Sequence, residues 1–197
     1  MADPAEILDY WIGDLGPEGW YAGGADLDAE IRDRFQEDWQ AAAEGGLDHW
    51  IDGAGPSLAF IVLTDQFPRN MFRGTAQAFA TDDRARAAAD RAILEGWDMV
   101  APEPERQFFY LPFMHSEEIG DQYRSVALMT ERMPETGASN LLHARAHREV
   151  IRRFGRFPYR NAALGRSSTA LEETFMAEGG YGTLVESLKG VGDDGQA

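Results

Sequence analysis

The chain has 197 residues and no cysteine, with 44% hydrophobic, 11% aromatic and 26% charged residues, the balance of a packed globular protein and not of a disordered chain. The missing thiols exclude disulfides, thiolate metal sites, iron–sulfur clusters and cysteine nucleophiles. A net charge of −16 opposes attraction to nucleic acid or to an anionic membrane, and no apolar run approaches the roughly 20 residues that a membrane span needs.

Apolar residues return at three- and four-residue spacing along almost the whole chain, which predicts helices throughout. Asp3-Pro4-Ala5-Glu6 reads as an N-cap, a proline at the first helical position and an acid at the third, opening a helix to about Ile12 that Gly13, Gly16 and Pro17 end. The acid in this segment, where a secretory signal carries base, points to the cytoplasm. A second helix from about Asp26 places Leu27, Ile31, Phe35 and Trp39 on one stripe, with Asp28, Asp33, Glu37 and Asp38 mostly outward. After Gly45-Gly46, Pro56 opens a helix whose body, Ser57 to Gln66, is apolar nearly all round, as a central core helix is; Pro68 is expected to stop it. Thr81-Asp82-Asp83 opens a helix to about Trp97. Pro102 and Pro104 precede a short one to Leu111, which Pro112 interrupts. Ser116 reads as the cap of a helix to Met133 carrying Ile119, Tyr123 and Val126. Ser139 opens a helix to about Phe154, and Thr169 with Glu172 forms a capping box for the last one. Gly179, Gly180 and the glycines beyond 189 suggest a loosely ordered tail over 181–197.

The expected architecture is all-α: a single domain, residues 1–180, of about eight helices stacked in antiparallel pairs or gathered into an irregular bundle. Charge is uneven along it. Residues 1–60 sum to −12, whereas residues 141–166 carry seven arginines against Glu149 alone and sum to +6.

The helix from Ser139 to Phe154 is the richest in chemistry. His143, His147, Val150 and Phe154 share one face at 100° per residue, with Arg145, Arg148 and Arg152 opposite. A histidine on an apolar face is either satisfied by a core partner, or lines a polar pocket, or ligates a metal. His-x-x-x-His supplies two metal ligands at most, and no diagnostic third is spaced with it, so no metal and no cofactor are assigned. Neither a nucleophile elbow nor a phosphate-binding glycine loop is present. What stands out is arginine at helix exits: Arg69, Arg73, Arg153, Arg156 and Arg160. Gathered, these guanidinium groups suit a carboxylate or phosphate; paired with Asp65, Glu117, Glu118 or Asp121, they would be purely structural.

At these residues the chain resembles the bacterial domain of unknown function 924 family. The similarity is carried by Leu63-Thr64-Asp65-Gln66-Phe67-Pro68-Arg69-Asn70-Met71-Phe72-Arg73-Gly74, by Ala78-Phe79-Ala80-Thr81-Asp82, by Tyr110-Leu111-Pro112-Phe113-Met114-His115-Ser116-Glu117, and by His147 with Arg152 to Asn161. It runs from about Ile7 to Phe175. The resemblance implies a tetratricopeptide-like stack of helices and no established activity. Tyr159 stands where relatives often have histidine, and Ala170 where they often have proline.

Three functional expectations follow. The first is a small anionic ligand in an Arg/His-lined pocket built from Asp65, Gln66, Arg69, Asn70 and Arg73, from His115 and Glu117, and from His147, Arg156, Arg160 and Asn161. Arg69, Arg156 and Arg160 would hold the anion, with His147 and Asp65 as neutral or accepting partners. The second is an enzyme with His147 or His115 as general base and the arginines stabilising an anion. The third is a peptide-binding helical stack.

Overall fold

The computed structural model describes residues 2–190, and among them every regular element is helical. None of these helices is long and apolar enough to cross a membrane. The chain divides into two compact units, one ending at Pro112 and one beginning at Phe113.

In the first unit, Asp3 accepts hydrogen bonds from the amides of Ala5 and Glu6 and Glu6 reaches back to Asp3, completing the capping box. The helix does not stop at Ile12: after Pro4–Leu8 it widens into a π segment, Asp9–Leu15, and breaks at Gly16. The long helix Ala25–Ala43 buries Ile31, Phe35 and Trp39 as expected. Asp38, expected outward, is instead buried and accepts from the Ala2 amide at 2.8 Å.

The core helix also corrects its expected end. Ala54–Ile61 widens into a second π segment, Val62–Gln66, and continues as Phe67–Met71, so the chain passes Pro68 without stopping. The reason is register: the new segment restarts at Phe67, and Pro68 falls in its first turn, the one part of a helix where proline's ring and missing N–H are tolerated. Around this helix Trp11 meets Phe67 and Phe108 edge-on at 5.5 and 6.0 Å, and all three rings are buried.

Thr81 precedes the helix Asp82–Leu94 but does not cap it with its side chain. Its hydroxyl accepts from the Trp39 indole at 3.1 Å and donates to the Thr64 carbonyl at 2.6 Å. Thr81→Val keeps the volume and orphans both buried partners. The expected cost is about 2 kcal/mol, read as a fall in the denaturant midpoint at unchanged slope; a loss within experimental error would show the bridge to be idle.

The second unit is built on a helical hairpin, Ile119–Arg132 and Ala138–Phe154. Gly137 turns its corner where a Cβ would lie 2.4 Å from the Met133 carbonyl. The first of these helices buries Gln122, Ser125, Val126 and Leu128, whereas Ile119 and Tyr123 are exposed. Tyr123 lies under the Arg148 guanidinium, 5.2 Å away, which gives an exposed ring a partner. Gly155, at φ +67°, ends Ala138–Phe154 in the left-handed region.

Thr169 and Glu172 form the expected capping box of Ala170–Ala177. The residues from 181, expected loose, begin instead as a helix, Gly180–Leu188. That helix is stabilised by burying Leu184 and Val185 against Ala146, Val150, Ile151 and Phe157, a tertiary gain that local glycine content does not reveal. The rest of the expected tail, 191–197, lies outside the described residues.

Candidate functional site

The candidate residues of the first unit fall into two tied groups. Asp65, fully buried, accepts from Gln66 at 2.5 Å and from Arg69 at 3.3 Å; Arg69 also reaches Asp82 at 2.9 Å and the Ala78 carbonyl at 3.0 Å. Asn70 and Arg73 converge on Asp28, Asn70 at 2.9 Å and Arg73 through two hydrogen bonds of 2.8 Å. The Arg73 fork holds the Asp28 carboxyl below the usual carboxylate range.

In the second unit the same pattern recurs. Arg166 grips Glu117 with two hydrogen bonds of 2.7 and 2.9 Å, and the Phe157 amide donates to Glu117 at 2.8 Å. Burial pushes this carboxyl up, but the Arg166 fork and the Phe157 amide outweigh it and leave it lowered. Arg166 also donates to Asn161 at 3.0 Å. Arg156 holds buried Glu172 bidentately at 2.6 and 2.8 Å, and that pairing, joined by the Thr169 cap, depresses Glu172 to about 2. Arg153 pairs with Glu149 at 2.6 Å. The helix-exit arginines Arg69, Arg73, Arg153 and Arg156 therefore each carry a carboxylate already, and Arg166, which the sequence reading passed over, does the same for Glu117 in the second unit.

A different cluster gathers around the histidine helix. His143 and His147 lie one turn apart on Ala138–Phe154, and Gly180–Leu188 packs across it, delivering Tyr181 between them. The Tyr181 hydroxyl is 2.6 Å from Nδ1 of His143 and 3.0 Å from Nδ1 of His147. Nδ1 of His147 is also 2.9 Å from the His143 carbonyl. Phe157 and Tyr181 meet the His147 ring edge-on at 5.2 and 4.7 Å, and the His115 ring lies 6.4 Å away. Buried Gln122 holds the segment that carries His115 by donating to the Met114 and Ser116 carbonyls at 2.8 and 2.6 Å. Arg160 donates to the His115 carbonyl at 2.9 Å, and its guanidinium lies over Phe157 at 4.5 Å.

Beside this cluster a pocket of about 440 Å³ opens, lined by His147, Tyr159, Tyr181, Met176 and the glycines at 179, 180 and 182. Of the eleven residues assigned from sequence, His147 is the one that lines it. Burial, then electrostatic repulsion from the neighbouring His115 and Arg160 side chains, pushes the His147 imidazole down to about 3, so it is neutral at pH 7. Burial and Lys189 lower His143, and burial raises the Tyr181 phenol.

Tyr181, Tyr159 and Met176 are absent from the sequence assignment. The local signal of Tyr181 is a tyrosine set among glycines, Gly179-Gly180-Tyr181-Gly182, which reads equally well as a loose end. Among the described residues no group of three or more His, Asp or Glu side chains is placed to hold a metal ion.

Comparison with known proteins agrees with the fold. Residues 7–180 match a family described as bacterial protein of unknown function, DUF924. The chain is similar to a solved structure of a protein of unknown function from Agrobacterium tumefaciens, at 46% identity and a TM-score of 0.83, over 89% of this chain and 97% of that one. No curated protein matches it.

Proposed function

We propose that this chain, which belongs to the bacterial DUF924 family, binds a small, largely uncharged molecule in the pocket between His147, Tyr159 and Tyr181. One observation carries the reading: the pocket wall pairs aromatic and thioether side chains with a neutral imidazole, the mix of apolar surface and few placed polar groups typical of small-molecule sites. The pairing of Arg69, Arg73 and Arg156 with carboxylates favours such a ligand over the anion suggested by sequence. Binding is also favoured over general-base catalysis. An imidazole held near 3 is a weak base at neutral pH, where an effective one titrates near 7.

The experiment is a fragment titration followed by amide and aromatic NMR signals of the full chain. Expected is at least one neutral fragment that saturably shifts His147, Tyr159 and Tyr181 together. A chemically broad set that moves none of them would overturn the reading.

Gly182 offers a second check. It is helical with an ordinary φ, and no atom outside its local helix lies within 4 Å of where its Cβ would be, so neither backbone nor packing requires glycine. Gly182→Ala is expected to raise stability by about 0.5 to 1 kcal/mol while weakening whatever fragment binds, because the new methyl takes pocket space. Thermal unfolding and the same titration measure the two effects; an unchanged affinity would place the ligand away from Gly182.

A further inference from the structure

The hydrogen bonds around His147 fix which of its nitrogens carries the proton. A backbone carbonyl can only accept, so Nδ1, 2.9 Å from the His143 carbonyl, is the protonated nitrogen. The Tyr181 oxygen, 3.0 Å from the same Nδ1, can then only accept there. Its own proton is left for Nδ1 of His143 at 2.6 Å. Each hydrogen has one place in this chain, and a neutral His147 is left with an unprotonated Nε2. That nitrogen meets no hydrogen-bond partner among the described residues, while the ring that bears it lines the pocket.

We infer that the molecule bound in this pocket presents a hydrogen-bond donor, an O–H or N–H on an apolar or aromatic body, to the Nε2 lone pair of His147, with Tyr181 and His143 as the positioning pair. The inference rests on the pocket reading above and sharpens it to a ligand class: phenols, alcohols, amides or azoles rather than carboxylates or phosphates. An anion would place its own lone pairs against Nε2 and would need a second proton on the ring. Burial and the nearby Arg160 guanidinium oppose that proton. An ether or ketone of the same shape would leave Nε2 unpaired, and buried acceptors left unpaired are what make such sites discriminate.

The test uses the full chain, labelled with ¹⁵N, and three probes of similar size: phenol, anisole and benzoate. In the free protein, long-range ¹H–¹⁵N correlations are expected to show His147 as the Nδ1–H tautomer. Tyr181→Phe is expected to move the His143 ring signals by removing the donor to its Nδ1; a tyrosine that merely packed would leave them in place. Phenol is expected to bind about tenfold more tightly than anisole and to shift the Nε2 resonance of His147. In His147→Phe, which keeps a ring but has no lone pair, phenol and anisole should bind alike.

An Nε2–H tautomer in the free protein, equal affinity for phenol and anisole, or a preference for benzoate would each overturn the donor inference while leaving the pocket reading intact. Failure of all three probes to shift any pocket signal at millimolar concentration would overturn the inference, and the pocket reading falls with it when the broader fragment set also moves none of those signals.

Discussion

Phe157→Ala is expected to lower the unfolding free energy by about 3 to 5 kcal/mol, the range for deleting a fully buried phenyl ring. Phe157 has no exposed surface and sits in the core cluster with Val150, Ile151 and Leu184. Its ring is also the wall against which His147 stands edge-on at 5.2 Å, Tyr159 stacks at 5.3 Å and the Arg160 guanidinium lies at 4.5 Å. One substitution therefore removes core packing and a side of the pocket framework together. Denaturant unfolding gives the stability loss, as a lower midpoint at unchanged slope. In whatever fraction stays folded, His147 and Tyr159 signals should broaden or shift while the Glu117 contacts to the Phe157 amide persist, because these involve backbone. A loss under about 1 kcal/mol would mean that the cavity collapses freely and that the ring is not a fixed wall.

Glu172→Ala is expected to cost about 2 to 3 kcal/mol, since one buried carboxylate serves both a helix cap and an ion pair. It accepts from the Thr169 amide at 2.7 Å and from Arg156 through two hydrogen bonds. The same carboxylate predicts the acid limb of the stability curve. Its ordinary value is 4.5 and the folded protein holds it near 2, so the unfolded chain takes up the proton first as pH falls. The stabilisation is complete above about pH 5 and is lost progressively as pH drops from 4.5 toward 2. Asp28, Glu117 and Glu149, all lowered by arginine partners in the fold, act in the same direction. Unfolding free energies measured from pH 6 to pH 2 should fall with acid, and Glu172→Gln, which has nothing to protonate, should flatten the fall. An equal slope in the two proteins would show that Glu172 is not the group that titrates.

What the sequence made legible is what is decided within a few residues. Both capping boxes are four-residue patterns, and both form. The stripe of Ile31, Phe35 and Trp39 is a period, and it is buried. The shared face of His143 and His147 is geometry one turn long, and the two rings do meet one hydroxyl. The gathering of arginines in residues 141–166 was equally visible, but its meaning was not. Whether Arg156 faces a ligand or Glu172, sixteen residues on, depends on how a loop returns, and no local pattern encodes that return. Tyr181 escaped for the same reason. Its helix gains its stability from Leu184 and Val185 packing on Ala138–Phe154, so its glycines read as disorder until the partner helix is in place. Pro68 misled in the opposite sense, because the rule that proline ends a helix assumes that the turn before it keeps its α spacing.

That widened turn bears on how such a chain can change over time. A π segment houses one residue more than an α turn does, so Val62–Gln66 is the form a helix takes when it accepts an insertion without rotating what lies beyond. In a plain α-helix each added residue would turn the following side chains by about 100° and carry Asn70 and Arg73 away from Asp28. The bulge absorbs that rotation at one place. The early core helix can thus vary in length while the polar anchors at its exit keep their bearings.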